Sequence, residues 1–268
     1  MDRNPRFAGP YNFYPDDESE ITKLLDSFFH DGPRKDALGV IAPHAGYIYS
    51  GPVAGDVYSK VNVTNTVVVL SPNHTGAGRP LSLWARGTWH TPLGGVRVDE
   101  AFAEKLRAAC GELEEDTKAH AGEHSLEVQL PFIRRCNPEA AIVPVTIATH
   151  DIATLRNLGD ALAETIRAEG RNILIVASSD MTHQESAESA KRKDMKAIDE
   201  VTKLDEEGLL NVVIRNNISM CGVAPAVTML RAAKGLGAAS AELVSYRTSG
   251  DATGDYHRVV AYAGVVVQ

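Results

Sequence analysis

Apolar residues along this chain follow two periods. Unbroken runs rich in Val and Ile occupy residues 38–42, 66–70, 81–85, 141–147, 172–177, 241–245 and 259–266, which reads as short buried strands. Between them apolar residues recur at helical spacing, predicting helices over 18–29, 52–60, 100–109, 125–135, 151–169, 186–204, 206–216 and 225–234. Asp151 suits an N-cap, and Gly170 suits the C-terminal end of the same helix. Alternating strands and helices indicate an α/β layer fold with parallel neighbours joined by right-handed crossovers. The stretch 81–98, with Pro92-Leu93-Gly94-Gly95, reads instead as a turn-rich antiparallel excursion. A mixed sheet flanked by helices is therefore expected. No linker, low-complexity stretch or repeat divides the chain, so residues 1–268 read as one domain.

Composition narrows the partners. The chain is 44% hydrophobic and 23% charged, as in soluble globular proteins. A net charge of −8 argues against nucleic acid, because phosphate binding needs clustered Lys and Arg. Here bases alternate with acids, as in Lys191-Arg192-Lys193-Asp194. Cys110, Cys136 and Cys221 are too few and too irregular for a disulfide framework, which fits a reducing compartment. Met1-Asp2-Arg3-Asn4-Pro5 lacks the apolar core of a signal peptide, and no run approaches the ~20 apolar residues of a membrane span. The expected location is the cytoplasm, with no membrane partner.

Three of the strands end in polar, titratable motifs: Pro43-His44-Ala45-Gly46, Pro72-Asn73-His74-Thr75-Gly76 and Ser178-Ser179-Asp180-Met181-Thr182-His183. Strand ends of an α/β sheet open into one crevice, where ligands of such folds bind. Two neutral imidazoles there make a metal pair, while either histidine alone fits equally a helix cap or a buried carbonyl. Cys221, just before a helix opened by Pro225, is a third ligand if the helix dipole favours thiolate, or a small packed residue if it does not. Asp180 and His183 form an acid–base pair or support a metal; alternatively Ser178, Ser179 or Asp180 caps the next helix. His124, placed at a helix start, would be kept neutral by the dipole, with Glu123 and Glu127 as ordinary first-turn acids. Cys110 and Cys136 are assigned to packing. His30, His90, His120, His150 and His257 lack comparable context and read as structural or exposed. There is no Gly-x-Ser-x-Gly elbow, phosphate loop or His-Glu-x-x-His motif, and Gly235-Leu236-Gly237 reads as a helix end.

Taken together, Arg6-Phe7-Ala8-Gly9 with Tyr14, Pro43-His44-Ala45-Gly46-Tyr47, Ser71-Pro72-Asn73-His74, Glu123-His124-Ser125-Leu126-Glu127, Ser178-Ser179-Asp180 with His183, and Cys221-Gly222 with Pro225 resemble the MEMO family nearly end to end. That family is similar to class III non-haem iron extradiol dioxygenases, which implies a three-layer α/β/α sandwich around one mixed, mainly parallel sheet. Carried over, its metal pocket falls on His44, His74 and Cys221, with Asp180, His183 and His124 beside it. The thiolate stands where ring-cleaving enzymes carry a carboxylate, shifting preference toward Cu(I) or Zn, so the resemblance does not by itself imply a dioxygenase.

Three functions follow as expectations. The first is a metal-binding redox protein or oxidoreductase holding iron or copper, with zinc as a further option, and with Asp180, His183 and His124 moving protons or orienting ligands. The second is a non-catalytic adaptor binding a peptide, a phosphopeptide or a small anion, with Arg79, Arg86 and Arg97 supplying charge near the mouth. The third is metal-assisted hydrolysis. The resemblance also implies AMMECR-type and radical-SAM proteins as partners in prokaryotes.

Overall fold

The computed structural model describes residues 1–9 and 12–268. Its strands in chain order are β1 (Gly39–Ala42), β2 (Thr66–Pro72), β3 (Leu81–Leu83), β4 (Thr88–Thr91), β5 (Gly94–Arg97), β6 (Glu114–Glu115), β7 (Ala141–Ile147), β8 (Leu174–Ser178), β9 (His183–Glu185), β10 (Ala241–Thr248) and β11 (Val259–Val267). The helices are α1 (Glu18–Asp26), α2 (Tyr47–Lys60), α3 (Glu100–Ala109), α4 (Lys118–Ala121), α5 (Leu130–Cys136), α6 (Ile152–Glu169), α7 (Ala187–Thr202), α8 (Glu206–Arg215), α9 (Val223–Gly235) and α10 (Gly250–Thr253).

The main sheet has the order β10-β11-β1-β8-β2-β7-β3-β6, with β9 paired to β11. Its central strands β1, β8, β2 and β7 run parallel, and antiparallel β11 and β3 flank them. Every residue of β1, β2 and β8 is buried, as continuous Val/Ile runs require when both faces are covered. Helices α6 and α9 pack together on one side with α3 and α8, while α2 and α5 pack together on the other. This is the expected α/β fold with a mixed sheet. The antiparallel excursion is the separate β4–β5 hairpin.

Two helices differ from expectation. The first starts at Tyr47 rather than at Pro52, which lies inside α2. Gly55 is there for packing: a Cβ on it would stand 2.4 Å from the Phe28 carbonyl oxygen. The helix expected over 125–135 is a turn, a 3₁₀ segment at Glu127–Gln129, and then α5. Pro131 accounts for this, since a residue without an N–H belongs in a first helical turn. Asp151 caps α6 through the Thr154 amide at 2.8 Å, and Gly170 closes that helix at φ 64°.

The segment ahead of α1 is strapped over the same region. Arg3 is buried on the Trp89 ring and ion-paired to Glu127, which has no exposed surface. Glu127 also accepts hydrogen bonds from the Phe7 amide at 2.8 Å, the Arg6 amide at 3.0 Å and the Tyr14 hydroxyl at 2.8 Å. Phe7 and Phe13 are thereby set against the His124 ring, at 5.7 and 4.5 Å between centroids.

Removing one member of a buried ion pair leaves the other uncompensated, at a cost of about 3–5 kcal/mol. Glu127→Gln is therefore expected to lose stability of that order in urea unfolding and to expose residues 1–14 to protease before the rest of the chain. Unchanged stability with unchanged cleavage would show that the strap is held by other contacts.

Candidate metal centre

The parallel register builds the site. Ala42 pairs with Ser178, and Leu70 with Ala177, so three adjacent strands end together and place His44, Asp180 and His74 side by side. The His44 amide donates to Asp180 Oδ1 at 2.7 Å across that edge. Cys221 comes from the turn that leads into α9. That turn reaches the strand end because residue 222 is glycine: a Cβ there would lie 2.3 Å from the Ser178 carbonyl oxygen. Cys221 Sγ stands 3.1 Å from His44 Nε2. One donor atom each from His44, His74 and Cys221 lies within 4.8 Å of the others.

Hydrogen-bond arithmetic fixes the His44 tautomer. Gln129 Nε2 faces the Pro43 carbonyl at 2.9 Å and the Ala42 carbonyl at 3.3 Å, and since carbonyls only accept, the amide nitrogen belongs on that side. Its second hydrogen goes to Ser178 Oγ at 2.9 Å. The single Ser178 hydroxyl hydrogen goes to the Ser125 carbonyl at 2.6 Å. Ser178 Oγ can then only accept from His44 Nδ1, 2.9 Å away, so His44 carries its proton on Nδ1 and turns the Nε2 lone pair toward Cys221. Tyr58 completes the chain by donating to Gln129 Oε1 at 3.0 Å.

His74 is oriented by a carboxylate. Its Nδ1 and its amide bond Glu123 Oε1 and Oε2 at 2.8 and 2.6 Å. Burial opposes ionisation of Glu123, but its hydrogen bonds from His74 and Ser125 outweigh this and hold its carboxyl at about 2. Burial likewise opposes charge on His74, and Glu123 outweighs it, raising the imidazole above its ordinary value. A carboxylate behind an imidazole is the common support of a metal-bound histidine.

The remaining groups are shaped mainly by desolvation. Burial, with the neighbouring imidazoles of His124, His74 and His183, lowers His44 well below the usual histidine range. Burial and then the Asp180 carboxylate push the Cys221 thiol up. A thiolate favoured by a helix start is therefore corrected: α9 begins at Val223, Pro225 lies inside its first turn, and the neighbouring carboxylate opposes ionisation. His124 is lowered to about 4 by burial, opposed by Glu123 and helped by His74, with no helix start involved. Its ring lies 4.7 Å from that of His74. Asp180 is pushed up to about 6 by burial against the opposing His44 amide and His183. Ser178, Ser179 and Asp180 cap no helix, because β9 intervenes and Ser186 caps α7.

His124, Asp180 and His183 line a cavity of about 520 Å³ with Phe13, Tyr49, Arg258 and Tyr262 among its walls. The arginines expected near its mouth are elsewhere. Arg79 pairs with Glu114 and Arg86 with Glu115, and Arg97 borders a different hollow beside α3. A cavity of about 400 Å³ by the start of β1 has its charges paired, His30 with Asp56 at 2.9 Å and Lys60 with Glu242 at 3.2 Å. Sequence reading gave Ser178 only as a helix cap, missed Gln129 and Tyr262, and took Glu123 and Glu127 for ordinary first-turn acids. Only the placing of Gln129 inside the apolar run Val128-Leu130-Phe132 hinted at a buried polar role.

The family model described as Memo-like protein matches residues 3–266. A MEMO1 family protein of Methanopyrus kandleri is 43% identical over 99% of both chains. One from Aquifex aeolicus is 41% identical over 98% of both. Among solved structures, an uncharacterized protein of Escherichia coli K12 has a TM-score of 0.55 at 15% identity, covering 85% of this chain and 98% of that one, a likeness of fold.

Two outcomes follow. In ¹⁵N-labelled, metal-free protein His44 should carry its proton on Nδ1, and Ser178→Ala should move the imidazole toward the Nε2–H form; an unchanged tautomer would rule out the serine as its determinant. His120, fully buried between Thr146 Oγ1 and the Ser82 carbonyl, is lowered to about 4, mainly by burial. Unfolded chain then takes up a proton the folded chain refuses, so stability present above pH 6.5 falls as pH drops toward 4, by about 1.4 kcal/mol per pH unit. His120→Gln should flatten the stability profile of the metal-free protein by about that slope; an equally steep profile would assign the loss to other groups.

Proposed function

The chain belongs to the Memo-like family, and within it we propose a metal-dependent redox protein that holds iron or copper on His44, His74 and Cys221. The observation that carries this reading is the convergence of two imidazoles and one thiol within 4.8 Å at the carboxyl edge of the sheet. Donors 2.0–2.3 Å from one centre stand about 3–4.5 Å apart, so the set fits a shared ion with small side-chain adjustment. Imidazole and thiolate suit iron, copper and zinc, not magnesium or calcium.

Bound iron or copper would supply electron transfer that no side chain here provides. The chain's own groups do the rest. Ser178 and Glu123 aim the two imidazoles, and the cover of Phe7 and Phe13 limits water at His124. Asp180, held near neutrality on the cavity wall beside His183, is placed to give and take protons at ordinary pH. Because the Cys221 thiol must lose its proton to a cation, metal uptake should release protons and weaken on acidification.

A second reading rests on the same donors. Three protein ligands beside a cavity lined by His124, Asp180 and His183 also suit catalytic zinc, which would make the reaction hydrolytic. Elemental mass spectrometry of tag-free protein purified anaerobically separates the two. Near-stoichiometric iron or copper, lost in both Cys221→Ser and His74→Ala, is expected. Zinc in its place would support hydrolysis. A parent that takes up none of the three, or variants that keep the metal, would overturn the site.

A further inference from the structure

We propose that the cavity lined by His124, Asp180 and His183, beside the three metal-ligating candidates, receives a small organic acid, its carboxylate bound by the Arg258 guanidinium and the Tyr262 hydroxyl. This deepens the preceding reading by naming a ligand class for the same site. Tyr262 is 1% exposed, lines the cavity, and its hydroxyl has no hydrogen-bond partner among the described residues. That oxygen is not sealed in protein, as the Trp89 Nε1 and Thr228 Oγ1 atoms are, so it opens on the cavity. A hydroxyl that opens on the cavity without a protein partner is free to donate to a ligand there.

Arg258 is the one Lys or Arg lining this cavity, and it makes no hydrogen bond or ion pair among the described residues. The acceptors around it bond elsewhere: Asp180 receives the His44 amide, Asp255 the His257 amide at 2.9 Å, and Ser249 Oγ the Val260 amide at 3.0 Å. Thr253 spends its hydroxyl hydrogen on the Ser249 carbonyl at 3.2 Å. The donors on this wall with no partner among the described residues are Tyr262, Arg258 and the half-buried Tyr49, a set that matches a paired acceptor. Phe13, Val260 and the two tyrosine rings give the space apolar sides, and about 520 Å³ suits a single-ring or short-chain acid.

The test uses benzoate as the probe, with benzamide as its uncharged counterpart and inorganic phosphate as a different anion, titrated calorimetrically against full-length protein. Benzoate should bind about tenfold or more tightly than benzamide and more tightly than phosphate. Arg258→Ala should weaken benzoate about tenfold, Arg258→Lys less, and Tyr262→Phe severalfold. Arg258 is exposed, so its variants leave the core intact. No benzoate binding, equal binding of benzamide, tighter phosphate, or indifference to Arg258→Ala would each overturn the proposal. Metal content measured on the same samples keeps the two readings apart. Arg258-dependent binding by protein that takes no metal upholds the acid site alone. Metal-loaded protein that ignores benzoate overturns the acid site alone.

Discussion

Glu127 has no contact with solvent, and an ionised carboxylate in that place is tolerable only because four donors surround it. Arg3 supplies the countercharge, and the amides of Arg6 and Phe7 and the Tyr14 hydroxyl fill the remaining lone pairs. These partners all lie more than a hundred residues away in sequence. The pair therefore does what local hydrogen bonds cannot, fixing where Arg3, Arg6, Phe7 and Tyr14 lie. Arg3 also donates to the carbonyls of His120 and Glu123, so the strap grips the backbone that carries His124. The aromatic cover of the site and the loop beneath it are one unit.

Within that cover the electrostatics are arranged so that the empty site is close to neutral. His44 and His124 are lowered by burial, and the Cys221 thiol is raised. The exceptions are His74, whose charge is matched by Glu123, and Asp180, whose carboxyl lies at about 6. A crevice of neutral donors with one compensated pair has little reason to attract an anion by charge alone. It strongly favours a cation that can exchange with the thiol proton. That contrast separates the floor of the cavity from its mouth, where Arg258 and Tyr262 are free.

Much of this was legible in the sequence because strand ends have a strong signature. A Val/Ile run that stops at Pro-His or at Ser-Ser-Asp announces both the strand and the residue leaving it, and the parallel register did the rest. Cys221 was legible as a polarizable group before a helix, but its protonation was not: the helix-start argument used the dipole and could not see Asp180, which comes from another strand. His124 failed for the same reason. Its periodicity looked helical, and the strap that buries it begins more than a hundred residues earlier. The roles of Ser178 and Tyr262 carry no local mark, and Gln129 shows only its place in an apolar run, since a hydroxyl or an amide is ordinary until its partner is known.

Gly222 shows why the site needs the sheet edge as well as the ligands. Two of the donors are delivered by β1 and β2, which lie on either side of β8 at a spacing fixed by the hydrogen-bond ladder, and no side-chain choice can bring those strands closer. The third has to approach from outside that ladder. It does so only because the turn before α9 presses its backbone onto the Ser178 carbonyl, where even a methyl group would collide. Ser178 is thus contacted from both sides: its carbonyl sets the depth of Cys221, and its hydroxyl sets the tautomer of His44. The distance between imidazole and sulfur and the direction of the imidazole lone pair are then consequences of one residue. Replacing the serine would remove the control of the tautomer, whereas a side chain at Gly222 would disturb the approach of the sulfur.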